Sequence, residues 1–288
     1  MMQQGTFTGF EVEVHQPGIA LITFNQPDRL NGMTMPMKRD LVETLAQAQM
    51  DESIRVIVFT GSGAAFSAGD DISGHENKQN QNNALVPEIP QGFSTAKNHA
   101  MGTYNGLRVL SQSLNLAIRN LDKLCIAAIN GYAIQTGLSL ALACDFRLAS
   151  KTAKLGSATL RFGLQPDEGG HYLLIQMMGV AKTMDFLMRK RIVTGEEALE
   201  WGIVHEVTEP EELLDRTMQL AQELANGPQI AMRLLKRSIY NAADMTFEQS
   251  LDDIAAKTAI SDTQPDATEG INAFREKREP QFNQWIDS

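Results

Sequence analysis

The amino-acid sequence predicts an α/β core followed by a helical C-terminal part. Three observations carry this. Short apolar runs alternate with segments of helical periodicity through residue 207. Two of those runs end in turns rich in Gly and Ala, "FSAGDDI" and "GYAIQTG". From residue 208 onward the pattern is helical almost to the end. Strands alternating with helices imply an α/β layer architecture. The chain therefore divides into a core over 1–207 and a helical region over 208–288.

The elements follow in order. Residues 10–14 alternate, residues 19–24 are mostly apolar, and Gly18 between them predicts a hairpin. A polar loop, "NQPDRLNGMT", comes next. Over 36–50 the apolar positions Met37, Leu41, Leu45 and Ala48 recur at three and four, which predicts a helix. Residues 54–60 read as a buried strand, 104–121 as a helix and 124–129 as a strand. A helix-like segment follows Asn130-Gly131, then a strand over 146–149, then helices over 170–178 and 181–189. Residues 73–103 break the pattern: they are polar and rich in Asn and Gln. A structureless stretch of that length is functional or disordered in most compact domains. We read it as a cover over a pocket, with a tolerated insertion as the alternative.

Composition narrows the function. A chain of 288 residues with 43% hydrophobic residues can bury a sizeable core. A net charge of −10 argues against nucleic acid as a partner. The apolar runs are too short for a membrane span, and the N-terminus lacks a signal-peptide pattern. Cys125 and Cys144 both lie in apolar segments and read as buried, reduced thiols. A cytoplasmic setting is expected. No His, Cys or Asp cluster has metal-ligand spacing, and no redox motif occurs, so no cofactor is expected.

In an open α/β sheet, ligands sit at the carboxyl ends of strands. A backbone N–H from each of the two turns could converge on one carbonyl oxygen as an oxyanion hole. Two ordinary strand–helix turns are the alternative. The full set of segments is more specific. "ITFNQPDRLNGMT", "FSAGDDI", "AAINGYAIQTGLSLALACDFRLAS", "GLQPDEGG", "EALEWGIVHEV" and "EGINAFREKREPQF" occur in this order. Together they resemble the enoyl-CoA hydratase/isomerase (crotonase) family over nearly the whole chain except 73–103.

The resemblance implies a spiral of strand–strand–helix repeats, a helical C-terminal oligomerisation region (homotrimer or dimer of trimers) and an acyl-CoA thioester as substrate. It implies the N–H groups of Asp70 and Thr136 as oxyanion donors, with Gly137 beside them. Gln135 and Thr136 depart from the glycines usual there. Hydratases of the family use two glutamates; the matching positions here are Ser139 and Thr159. Isomerases of the family carry a carboxylate after the proline of "LQPDEGG", which is Asp167 here. An isomerase with Asp167 as proton shuttle is the reading the resemblance favours; an N-cap is the alternative for this residue. Glu168 reads as a surface carboxylate, and as the reserve base of a hydratase or hydrolase. His75, His99 and His171 are further reserve bases, and His15, His205 and Asp145 read as structural. A non-catalytic acyl-CoA binder is the rival from another class. For the CoA itself, Arg29, Ala68, Ile72 and Lys277, with Arg278, are the expected contacts. Met33, Met35, Met37 and Leu138 would set the pocket width. The apolar positions of 213–239 are expected to be buried between subunits, with packing on the chain's own core as the alternative.

Overall fold

The computed structural model describes residues 1–71, 84–90, 92, 93, 95 and 99–286. In chain order its elements are β1 (Gly5–Thr6), β2 (Phe10–His15), β3 (Ile19–Phe24), α1 (Met35–Met50), β4 (Val56–Gly61), β5 (Ala65–Ser67), α2 (Ala100–Tyr104), α3 (Gln112–Asn120), β6 (Leu124–Ile129), β7 (Tyr132–Ile134), α4 (Thr136–Ala143), β8 (Phe146–Ser150), β9 (Lys154–Gly156), α5 (Gly170–Met188), β10 (Ile192–Thr194), α6 (Gly195–Glu200), β11 (Glu206–Thr208), α7 (Leu213–Asn226), α8 (Gln229–Ala242), α9 (Phe247–Ser261) and α10 (Pro265–Glu276).

The strands form two sheets, ordered β1-β2-β3-β4-β6-β8-β11 and β10-β9-β7-β5. The β2–β3 hairpin is antiparallel, and β3, β4, β6, β8 and β11 run parallel. The repeat is visible in the pairs β4–β5, β6–β7 and β8–β9. Each sends a long strand into the large sheet and, after a tight turn, a three-residue strand into the small one. Alternation along β4 serves two layers. Ile57 and Phe59 face the main core with Phe24, Met37 and Leu41. Val56 and Val58 face a second core with Leu213, Ala221 and Ala225 of α7.

Three expectations change and one holds. The segment after Gly131 is strand β7 before it becomes helix α4. Three-residue strands are too short to show a period, so the small sheet was not predicted. The helix expected over 104–121 begins at Ala100, inside the stretch read as a cover, and passes through a π-helical segment, Asn105–Ser111. The two helices expected over 170–189 are present, joined at Gly179, whose φ of 75° and ψ of 170° are not helical. The apolar side of α7 is not left for another subunit; it packs on this chain's own sheet. The helices α8 to α10 differ: Leu235, Ile239, Leu251 and Phe274 are exposed.

Cys125 and Cys144 are buried and unbridged. No helix among the described residues is long and apolar enough to cross a membrane.

Candidate active site

The site is built where three backbone turns meet. The loop after β3 folds over the turn after β5. Ala68 N–H donates to Leu30 O (2.9 Å), Met33 N–H to Gly69 O (2.8 Å) and Asp71 N–H to Met33 O (3.0 Å). In this parallel bridge Met33 uses the groups on either side of Asp70, so the Asp70 N–H points away from it. Gly69 has φ +106°, a conformation open to glycine, and a Cβ there would sit 3.2 Å from Ile134 O. Asn31 fixes the whole turn. Its Oδ1 accepts from Gln26 N–H (2.8 Å), and its Nδ2 donates to Ser62 O (2.9 Å) and Ala65 O (2.7 Å).

The second turn opens α4. Thr136 is its first residue, and the first N–H groups of a helix have no intrahelical acceptor. Gly137 is required for close approach, because a Cβ there would lie 2.2 Å from Ser67 O. The two turns are tied together: Thr136 Oγ1 donates to Asp70 Oδ1 at 2.9 Å. Gln135, where the family has glycine, adopts φ +50°, a strained choice for a residue with a Cβ. Its Oε1 accepts from Ser157 Oγ (2.7 Å) and Thr159 Oγ1 (3.3 Å). The hydroxyl at the second glutamate position is therefore already engaged. At the first, Ser139 is buried against the start of α5, where a Cβ on Gly170 would come 2.8 Å from Ser139 Oγ.

The third turn carries Asp167 and Glu168 into α5. Amides of α3 hold its backbone: Gln112 Nε2 donates to Asp167 O (2.8 Å) and Asn115 Nδ2 to Glu168 O (2.8 Å). Asp167 reaches solvent. Surrounding protein still raises its carboxyl above the ordinary 3.8, through partial burial first and then the Glu168 and Asp70 charges, with Lys38 opposing.

Glu168 corrects the sequence reading. It is buried, not a surface carboxylate. Its Oε1 accepts from Lys38 Nζ (2.7 Å) and from Ser111 Oγ. Lys38, on α1, also donates to Ser111 Oγ (2.5 Å) and pairs with Asp70 Oδ1 (2.6 Å). Burial opposes its charge, but Glu168 and Asp70 more than offset that and hold the ammonium above its ordinary value. Sequence reasoning missed Lys38. A signal existed: Lys38 lies between Met37 and Leu41 on the apolar stripe of the helix, where a solvated lysine does not belong.

The remaining expected residues separate. Ala68 and Gly137 lie on the two turns. Arg29 pairs with Asp71 (2.5 Å) beside them. Lys277 caps α10 at φ +56°, exposed, and Arg278 is engaged by Glu269 and Glu276. His99 caps α2 by accepting from Gly102 N–H (3.0 Å), and His205 accepts from Arg147 N–H (3.2 Å), both local structural roles. His171 is exposed at the start of α5, and His15 lies 3.5 Å from Glu13. Asp145 is structural, as expected, bonding Cys125 N–H (2.7 Å) and Lys236 Nζ (2.9 Å). Met33, Met37 and Leu138 are core residues, and Met35 is half-buried. Ile72 and His75 lie outside the described residues.

Comparison with known proteins agrees with this architecture. The family model described as enoyl-CoA hydratase/isomerase matches residues 14–101 and 91–285. The chain is 33% identical over 270 residues to 1,2-epoxyphenylacetyl-CoA isomerase of Escherichia coli (strain K12), covering 93% of this chain and 95% of that one. It is 27% identical to crotonyl-CoA hydratase of Syntrophomonas wolfei, covering 92% and 94%. The crystal structure of an enoyl-CoA hydratase from Bacillus anthracis superposes with a TM-score of 0.83 at 26% identity, covering 96% and 99%. The chain has the crotonase fold and belongs to the enoyl-CoA hydratase/isomerase family of acyl-CoA enzymes.

Proposed function

We propose that this enzyme shifts a carbon–carbon double bond in an acyl-CoA, converting a 3-enoyl thioester to its 2-enoyl isomer. One observation carries the reading. Two solvent-reaching carboxylates stand at the turns; Asp70 is engaged by Lys38 Nζ and Thr136 Oγ1, which leaves Asp167 as the proton carrier, while Ser139 and Thr159 occupy the places of the paired hydratase glutamates. Adding water calls for two groups to place and activate it; moving a proton needs one.

Asp167, ionised, takes the proton from C2. The C–H electrons form the C1–C2 double bond of a dienolate as the carbonyl electrons move onto oxygen. The N–H groups of Asp70 and Thr136 hold that oxygen, with the α4 N-terminus adding its dipole. Asp167 then gives the proton to C4, and the double bond settles between C2 and C3. Mass is unchanged. The raised Asp167 carboxyl suits both directions of transfer better than an ordinary aspartate. The relative named 1,2-epoxyphenylacetyl-CoA isomerase supports isomerisation of a CoA thioester, the coarser form of this reading.

Relatives named hydratases support the second reading, water addition. Arg29 and Ala68 at the turn, Ile72, and Lys277 from another copy are proposed contacts of the CoA. The exposed apolar residues of α8 to α10 support a homotrimer or dimer of trimers. The experiment is mass spectrometry with chromatography on 3-hexenoyl-CoA, using wild type and Asp167→Asn. Conversion at unchanged mass, lost in the variant, is expected. A gain of one water, or release of free CoA, that survives in the variant overturns the isomerase reading.

A further inference from the structure

We propose that Lys38 is a positioning residue for the oxyanion turn: its buried ammonium cancels the carboxylate carried by Asp70, the donor residue itself. The inference rests on the oxyanion reading above.

An anionic side chain is a poor companion for a developing oxyanion. Asp70 nevertheless supplies one at the residue whose N–H faces the site. The geometry shows how it is tolerated. Lys38 Nζ lies 2.6 Å from Asp70 Oδ1 and 2.7 Å from Glu168 Oε1. Side-chain exposure is 1% for Lys38 and 2% for Glu168, but 45% for Asp70. The ammonium thus has a buried anchor on one side and reaches the site through the other. Among the described residues it is the cation in ion-pair range of either carboxylate. The same Oδ1 accepts from Thr136 Oγ1, so Lys38 also holds the two donor turns in register. Glu168 Oε2 is buried and accepts no hydrogen bond, so the pair is not optimised for stability alone.

The test uses acetoacetyl-CoA, a 1,3-dicarbonyl thioester whose enolate absorbs in the near ultraviolet. Its enolate pKa when bound reads the hole directly and needs no turnover. Wild type should lower that pKa relative to free ligand. Lys38→Met alone strands Glu168, so the informative variant is Lys38→Met/Glu168→Gln, with its melting temperature measured alongside. It should raise the bound pKa by about one unit, a tenfold loss of enolate. Adding Asp70→Asn should recover the loss. Asp70→Asn alone leaves the Lys38–Glu168 pair in place and should lower the bound pKa below wild type; this arm holds even where the double variant fails to fold. An unchanged pKa in Lys38→Met/Glu168→Gln, or no fall in Asp70→Asn, overturns the role of Lys38. Absence of any shift in wild type overturns the hole itself, and the proposal with it.

Discussion

Among the described residues, two buried lysines pair with carboxylates, and they differ in how far they are closed. Lys236 and Asp145 are 3% and 8% exposed. Asp145 Oδ2 accepts from Lys236 Nζ and Cys125 N–H, and its Oδ1 accepts from the Tyr240 hydroxyl. Lys236 also donates to Lys123 O (2.8 Å). That cluster is saturated, and it staples α8 to the start of β6. The Lys38 cluster is anchored equally deeply at Glu168 but opens at Asp70, and one Glu168 oxygen has no donor. A saturated buried ion pair organises the fold. One left open at the mouth of a site is available to act on what binds there.

The largest expected effect is at the open site. Asp167→Asn should lower kcat for 3-hexenoyl-CoA by about 10² to 10⁴-fold, as loss of a general acid–base does. A variant with wild-type kcat would break the contrast at once. At the closed cluster, Lys236→Met strands Asp145. It should cost about 3–5 kcal/mol in urea unfolding while the folded fraction keeps its kcat. A fall in kcat without loss of stability would show that the cluster is not merely structural.

Lys123 supplies a control with no saturated carboxylate partner. Its Nζ donates to Asp51 O, and burial, with Arg233 adding to it, pushes it down to about 8. Between there and the ordinary 10.5 the unfolded chain binds the extra proton, so stability should rise with pH across that window. The gain between pH 8 and pH 10 should be about 2 kcal/mol, absent in Lys123→Met. Urea midpoints at pH 8 and pH 10 read it.

The smallest expected effect is a pH shift. Asp167 must be ionised to take a proton, and its carboxyl sits above 3.8 with Glu168, Asp70 and Lys38 facing it. The acid limb of kcat against pH should therefore lie above that value. Glu168→Gln removes a charge that raises Asp167 and should move the limb to lower pH. A move to higher pH would mean that Lys38, once released, no longer acts on Asp167 as described.

Much of this was legible in the sequence, and the failures have physical causes. The long strands β2, β3, β4, β6 and β8 announce themselves by apolar runs bounded by Gly and polar turns. The three-residue strands β5, β7, β9 and β10 cannot, because their pairing partners and not their own period define them. The two glycine-rich turns were legible because turn chemistry marks itself locally; Asp167 was singled out by the resemblance and by no local signal. Glu168 was misread because nothing local distinguishes it from its neighbour. What turns it inward is Lys38, 130 residues away in the chain. Ser111, Gln112 and Asn115 were missed for the same reason: their partners lie across the α3–α5 boundary.

The central claim is that one carboxylate moves a proton from C2 to C4 and no water is added. Incubating 3-hexenoyl-CoA with the enzyme in D₂O and reading the product by NMR tests it most directly. The account predicts a 2-enoyl product whose C4 carries the proton taken from C2, without deuterium, and no oxygen at C3. A 3-hydroxyacyl product with deuterium at C2 would contradict it.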